Sequence, residues 1–135
     1  MGKRESGFTM VELILVITLL GILAVVALPR FFNMQTGARQ AARAGVVPSV
    51  RSGAALFRAN DLVQGGAGAY PASLDNAGTV DGACATANPC FGQILDQSVT
   101  DGRWAKAGDA YTYDDGDAGT PNITYTYTQG TGTFQ

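Results

Sequence analysis

A long stretch of apolar residues near the start of the chain contains a single charge. It runs from Phe8 to Leu28, directly before Pro29, and its roughly 21 residues would span about 31 Å as a helix. That length is enough to cross the hydrocarbon core of a membrane. Glu12 is the charged residue within it, and a charge there costs about 2.5–3.5 kcal/mol on insertion scales. The pattern therefore predicts a membrane-spanning helix whose glutamate has a specific partner.

The residues that follow are predicted to continue this helix. Apolar side chains recur at steps of three and four, at Phe31, Met34, Ala38, Ala41, Ala42, Val46, Val50, Ala54 and Phe57. A basic stripe lies beside them, and it is interpreted either as a solvated face or as a surface that pairs with acidic residues of a neighbouring copy. Its members are Arg39, Arg43, Arg51 and Arg58. The prediction is one helix from near Thr9 to near Ala59, bent at Pro29 and near Pro48.

The second half of the chain is rich in glycine and turn residues, which favours a small sheet with loops. The clearest strands are Ala110–Asp114 and Ile123–Thr128, where aromatic and threonine residues alternate with period two. This alternation places Tyr111 and Tyr113 on one face, and residues 115–122 would join the two strands as a hairpin. The overall prediction is an α+β fold, in which a long helix packs on a small antiparallel sheet.

Shorter signals in the same half predict turns. The glycines of Gln64–Gly68 favour a loop, Pro71–Asp75 is compatible with a short helical turn, and Asp101-Gly102 indicates a turn before Trp104.

Charge and composition suggest an exported protein with one small domain. Lys3 and Arg4 precede the apolar stretch, and the positive-inside tendency places them in the cytoplasm and the rest of the chain outside the inner membrane. The 135 residues leave about a hundred after the span, enough for one core. The weakly acidic net charge of −2 gives no electrostatic sign of nucleic-acid binding.

The residues offer no constellation for catalysis. Histidine is absent, the paired carboxylates lie in a predicted turn, and no glycine-rich phosphate cradle follows a strand. We therefore expect neither enzymatic activity nor a cofactor.

The segment Gly7-Phe8-Thr9-Met10-Val11-Glu12-Leu13, behind a short basic leader, resembles the class III signal peptide of type IV pilins and pseudopilins. The resemblance implies that a prepilin peptidase cuts between Gly7 and Phe8 and that Phe8 is then N-methylated. Gly21 and Pro29 match a glycine and a proline of the family, where the helix loosens locally on assembly.

The same resemblance implies a pilin fold with four parts. Residues 1–7 are the leader, 8–29 the transmembrane and filament-core helix, 30–59 an amphipathic continuation of the stalk, and 60–135 a globular head. The precursor would lie in the inner membrane. The mature protein would join an extracellular homo-oligomeric filament with the help of the pilus assembly machinery.

Glu12 would then have a partner in the filament. The Phe8 ammonium group exposed by cleavage would pair with Glu12 of a neighbouring copy, which recovers much of the cost of a charge in hydrocarbon. Phe8 and Glu12 are four residues apart, so an internal pair before assembly is an alternative.

Three other interpretations of the amino-terminal segment and role stay open. The chain could be a type II secretion pseudopilin, a plain single-span anchor, or a secreted protein cut after Val25-Val26-Ala27. Within the pilus reading, residues 27–42 are similar to pilins of the mannose-sensitive haemagglutinin type, and adhesion, motility or surface attachment are the expected roles.

Two local sites are predicted in the head. Cys84 and Cys90 lie close together in sequence and outside the cytoplasm, which favours a disulfide worth about 2–2.5 kcal/mol. Asp114, Asp115 and Asp117 form a weak candidate calcium loop, with a solvated hairpin turn as the alternative.

Overall fold

A computed structural model describes residues 7–116 and 121–135 of the chain. Its contacts divide the protein into two compact units, Met1–Gly37 and Ala38–Gln135. The element order is a helix α1 (Met10–Val63) followed by five strands, which matches the predicted α+β pilin fold.

The first unit is an exposed apolar helix. Every residue from 7 to 35 is exposed, including the large apolar side chains of the stretch before Pro29. By length and composition alone, this part of α1 could cross a membrane. The helix continues without interruption through Gly21 and Pro29.

In the second unit, one face of α1 packs on the sheet. Val47, Val50, Gly53 and Ala54 are buried, and Val46 packs against the same core. The predicted apolar stripe is thus correct in its later part. In its earlier part, the stripe is helical as predicted but exposed in the single chain, at Phe31, Met34, Ala38, Ala41 and Ala42.

Five strands form an antiparallel meander in the order β1-β2-β3-β4-β5. Their bounds are β1 Gly82–Cys90, β2 Val99–Ala107, β3 Ala110–Tyr113, β4 Ile123–Thr128 and β5 Thr133–Phe134. Each strand pairs with the next one along the chain. This arrangement keeps all pairings local in sequence.

The hairpin of β3 and β4 confirms the prediction from alternating residues. Its register pairs Tyr111 with Tyr125 and Thr112 with Thr124. Tyr111, Tyr113 and Tyr127 are buried, whereas the threonines of β4 are exposed. The period-two pattern therefore identified both the strands and the face that meets the core.

The predictions for shorter segments had mixed outcomes. Gln64–Gly68 forms the predicted loop. Pro71–Asp75 is not helical, because Ser73 Oγ accepts the Asp75 N–H and bends the chain locally. Asp101-Gly102 lies within β2 instead of between elements. Its turn chemistry persists there, since Asp101 accepts the Arg103 N–H and Gly102 has φ +72°, next to a shift in the β1–β2 register.

Aromatic side chains dominate the core of the second unit. Phe91 lies at its centre, with ring centroids 4.5 Å from Tyr111, 5.5 Å from Trp104 and 5.8 Å from Phe134. Val47 and Val50 cover this cluster from α1. The core of this unit is thus formed by the inward-facing side chains of the sheet and by one face of α1.

Gly53 lies where α1 closely approaches the backbone of Ile94. A Cβ there would sit 2.6 Å from the backbone oxygen of Ile94. We expect Gly53→Ala to lower the free energy of unfolding of the full chain in detergent by about 1–3 kcal/mol. Gly45→Ala is the matched control, because a Cβ at Gly45 meets nothing within 4 Å and alanine favours helix by about 0.5–1 kcal/mol. Equal stability of the two variants would contradict this account.

Candidate functional site

The predicted processing site lies just before the helix. Gly7, Phe8 and Thr9 are outside regular structure, and Met10 is the first helical residue. Gly7 is exposed and Phe8 is 80% exposed. The predicted cleavage position is thus outside the helix and accessible, while the cut and the methylation themselves stay predictions.

Thr9 caps the start of α1. Its Oγ1 accepts the Glu12 N–H at 3.3 Å, and its carbonyl oxygen accepts the Leu13 N–H at 3.2 Å. Thr9 and Glu12 have the spacing of a capping box, a signal that the sequence carried and that the sequence analysis missed. Phe8 precedes this cap and lies outside the helix in the uncleaved chain, and its internal pairing with Glu12 after cleavage stays a prediction.

The Glu12 carboxylate is exposed on an apolar surface. Among the described residues, it has no hydrogen-bond or ion-pair partner, and its neighbours Val11 and Leu13 are exposed apolar side chains. Glu12 also lies in the first turn of α1, where the positive end of the helix dipole favours a negative charge. An amine that reached this carboxylate in a dry environment would be held strongly.

The rest of the apolar segment satisfies its own polar groups. The Thr18 hydroxyl donates to the Ile14 carbonyl oxygen at 2.7 Å, the arrangement expected of a hydroxyl within hydrocarbon. Gly21 leaves open space on the helix surface, and Pro29 lies inside the helix without an amide hydrogen. Whether either position loosens on assembly stays a prediction.

The arginines of the second unit contact their own head. Arg39 donates to the Asp115 carbonyl oxygen at 2.7 Å, and Arg43 lies 3.4 Å from the Asp115 carboxylate. Arg51 donates to the Phe134 carbonyl oxygen, and Arg58 donates to the Tyr70 hydroxyl. Arg39 and Arg43 are partly buried, so the solvated-face interpretation is wrong for these two, whereas Arg51 and Arg58 are exposed although each also contacts its own head.

The candidate calcium residues do not share one site in the described part of the chain. The Asp114 carboxylate accepts the Gly116 N–H, whereas the buried Asp115 carboxylate pairs with Arg43. Asp117 lies outside the described residues. Within residues 7–116 and 121–135, no group of three or more potential metal ligands occurs, and calcium binding has no further support.

The predicted disulfide is present. Cys84 and Cys90 are bonded, both are buried, and their Cα atoms lie 5.3 Å apart. Six residues of regular strand would separate them by roughly 20 Å, so β1 folds back on itself between them. The β1–β2 register shifts between Ala85 and Cys90 for this reason. The disulfide thus holds an irregular strand that the alternation of residues could not predict.

A buried carboxylate that the sequence analysis missed organises the head. Asp75 is only 4% exposed; its Oδ1 accepts the Phe91 N–H at 2.7 Å, and its Oδ2 accepts the Tyr111 hydroxyl. The Lys106 ammonium group lies 3.9 Å from the same Oδ2. Phe91 has φ +60°, which is strained for a phenylalanine, so its hydrogen bond to Asp75 helps to hold that conformation.

Burial also sets the response of the head to alkali. It raises the pKa of Tyr111, Tyr113 and Tyr127, and the negative charge of Asp75 adds to the effect at Tyr111. The neutral tyrosines are thus favoured in the folded state, and their contribution to stability is complete below about pH 10, the ordinary tyrosine pKa, and falls above it.

We therefore expect alkaline unfolding above about pH 10, with tyrosinate absorbance rising together with the loss of near-ultraviolet circular dichroism. Tyr127→Phe should weaken the pH dependence, because it removes one such group. Complete ionisation of the tyrosines at pH 10 in a folded protein would contradict the expectation.

Two comparisons with known proteins found similarities in sequence. Residues 2–28 match the prokaryotic N-terminal methylation motif. The chain is also similar to the type IV narrow pilus major component PilA5 of Thermus thermophilus, with 42% identity over 53 residues. That match covers 39% of this chain and 46% of the relative, so the chain matches less than half the length of that relative. No solved structure was found to match.

The chain thus combines an amino-terminal methylation motif with a long apolar helix and an antiparallel sheet, an α+β protein. The relative is a type IV pilus component, and the similarity to it covers less than half of either chain.

Proposed function

We propose that the protein is a structural subunit of a type IV pilus-like filament. The observation that carries the proposal is the methylation motif that leads into an exposed apolar helix with one carboxylate near its start. The relative from Thermus thermophilus is a major component of a type IV narrow pilus, which supports the same role.

Assembly is proposed to depend on a pair between two copies. After cleavage before Phe8, the new ammonium group lies a few residues from Glu12, on an apolar surface. Both charges are costly in hydrocarbon, and their attraction recovers much of that cost when they meet. Glu12 is the single charged residue from Phe8 to Leu28. The pair therefore also sets the axial register between one copy and its neighbour.

The apolar side chains of the first unit supply the remaining cohesion. They are exposed in the single chain, and they need a cover of protein once the subunit leaves the lipid. In a homo-oligomer, that cover is the same segment of other copies. Gly21 offers a place of close approach between helices, since no atom lies within 4 Å of the position of its Cβ.

The second unit would form the surface of the filament. Its disulfide and its buried aromatic core suit a domain that works outside the cell. Adhesion, motility or surface attachment are the roles proposed for such a filament. The prepilin peptidase and the pilus assembly machinery are its proposed partners, and the inner membrane holds the precursor.

Mass spectrometry of the protein sheared from cells tests this function. We expect filaments in the sheared fraction by negative-stain microscopy, and a mature chain that starts at methylated Phe8. A start at Leu28 would indicate an ordinary secreted protein. A chain that starts at Phe8 but stays in the periplasm, with a secretion defect on deletion, would indicate a type II secretion pseudopilin.

A further inference from the structure

A groove in the second unit lies between α1 and the segment that precedes β2. It has a volume of about 390 Å³ and is mostly apolar. Small residues of α1 form one wall and the segment after β1 forms the other, with Ala42, Gly45, Ser49, Leu95, Asp96 and Val99 among the lining residues. The helix wall carries no side chain larger than that of Val46, which leaves room for an inserted ring.

One charge at the edge of this groove has no partner in the described part of the chain. Asp96 is exposed, and its carboxylate makes no hydrogen bond or ion pair there. This contrasts with Asp61, Asp75, Asp81 and Asp115, whose carboxylates bind groups of their own head. Asp96 is thus available to a cation from outside the chain.

The first unit carries a complementary segment. Arg30 is exposed and, among the described residues, has no hydrogen-bond or ion-pair partner, unlike the four arginines that follow it on α1. Phe31 and Phe32 come next and are 62% and 65% exposed. Two aromatic rings beside a guanidinium group are typical of the residues that anchor protein interfaces.

We propose that the groove binds the Arg30-Phe31-Phe32 segment of a second copy of this chain. One ring enters the apolar groove beside Gly45, and the guanidinium group pairs with Asp96 at its edge. The inference rests on the proposed function, since a filament brings the stalk of one copy to the head of another. It adds a second contact to the Phe8–Glu12 pair, one that joins a head to a neighbouring stalk.

Charge reversal tests the pair in whole filaments. We expect Arg30→Glu and Asp96→Arg each to reduce the yield of sheared filaments at least about tenfold, because like charges then face each other at an interface. The double variant should restore the yield. Asp109→Arg is the control, since it makes the same charge change at an exposed residue outside the groove.

Cross-linking tests the position of the segment. Cells that make both a Phe32→Cys chain and a Ser49→Cys chain should yield dimers whose cross-linked peptide joins residues 32 and 49. Val80→Cys replaces Ser49→Cys in the control, because Val80 is exposed but outside the groove. Cross-linking equal to the control would overturn the proposal.

The two proposals can fail separately. If Arg30→Glu and Asp96→Arg filaments form at the wild-type yield while Glu12→Ala abolishes them, the groove is not an interface, but the filament role stands. If the wild-type chain makes no filament at all, both proposals are wrong. Capture of a different protein in the groove would also overturn this inference.

Discussion

Glu12→Ala abolishes filaments in the sheared fraction while the chain is still processed and held in the membrane; this is the largest effect that we expect. Without the carboxylate, the Phe8 ammonium group of each neighbour stays unpaired in an apolar environment. An unpaired charge there costs about 2.5–3.5 kcal/mol, roughly a hundredfold in the equilibrium for each added subunit. Negative-stain microscopy and immunoblotting of sheared and membrane fractions measure the outcome.

The structure offers controls for this experiment. The start of the helix should survive the substitution, because Thr9 binds the backbone N–H of residue 12 and not its carboxylate. Glu12→Gln keeps the shape of the side chain and should fail like Glu12→Ala, since it removes the charge. Thr18→Ala should assemble normally, because that hydroxyl binds only its own helix. Wild-type filament yield from Glu12→Ala would refute the pairing.

Asp75→Ala is expected to unfold or severely destabilise the head. The substitution leaves the Phe91 N–H and the Tyr111 hydroxyl buried without an acceptor, and it removes the ion pair with Lys106. Removing one partner from such a buried network costs about 3–5 kcal/mol, a large share of a typical domain stability of roughly 5–15 kcal/mol. Phe91 would also lose the hydrogen bond that supports its positive φ.

Denaturant unfolding of the full chain in detergent measures this loss, with near-ultraviolet circular dichroism of the buried Trp104 as the signal. Asp81→Ala is the matched control, because Asp81 contacts the same Lys106 and is exposed. Hydrogen bonds from Gly108 and Lys106 lower the pKa of Asp81, yet water replaces those bonds readily at an exposed site. A similar effect of the two substitutions would show that burial of Asp75 is not what matters.

The hairpin of β3 and β4 shows what the local sequence pattern can predict about the sheet. Alternating aromatic residues predicted both strands and the buried face, since each side chain points to the side that its position dictates. Prediction failed for β1 and β2. The disulfide between Cys84 and Cys90 folds β1 back, and Gly102 bends β2, so neither strand keeps the simple alternation that a pattern search detects.

The arginines show the same limit on the helix. Their spacing predicted a stripe but not its partners, and the partners of Arg39 and Arg43 are more than seventy residues away in the sequence. The Tyr111 hydroxyl, which donates a hydrogen bond to the Asp75 carboxylate, likewise lies 36 residues later in the sequence. Whether a charge is solvated or paired depends on what the fold brings to it.

The sequence by itself determined the amino-terminal features on which the proposed function rests. The motif around Gly7, the apolar length up to Leu28, the lone Glu12 and the threonine cap are all readable over a few turns of helix, because they depend only on neighbouring residues and on the thickness of a membrane. Only the tertiary structure decided which head groups bind the arginines, that Asp75 is buried, and that a groove lies beside Asp96. These features arise from contacts between distant segments, which packing creates and local propensity does not encode.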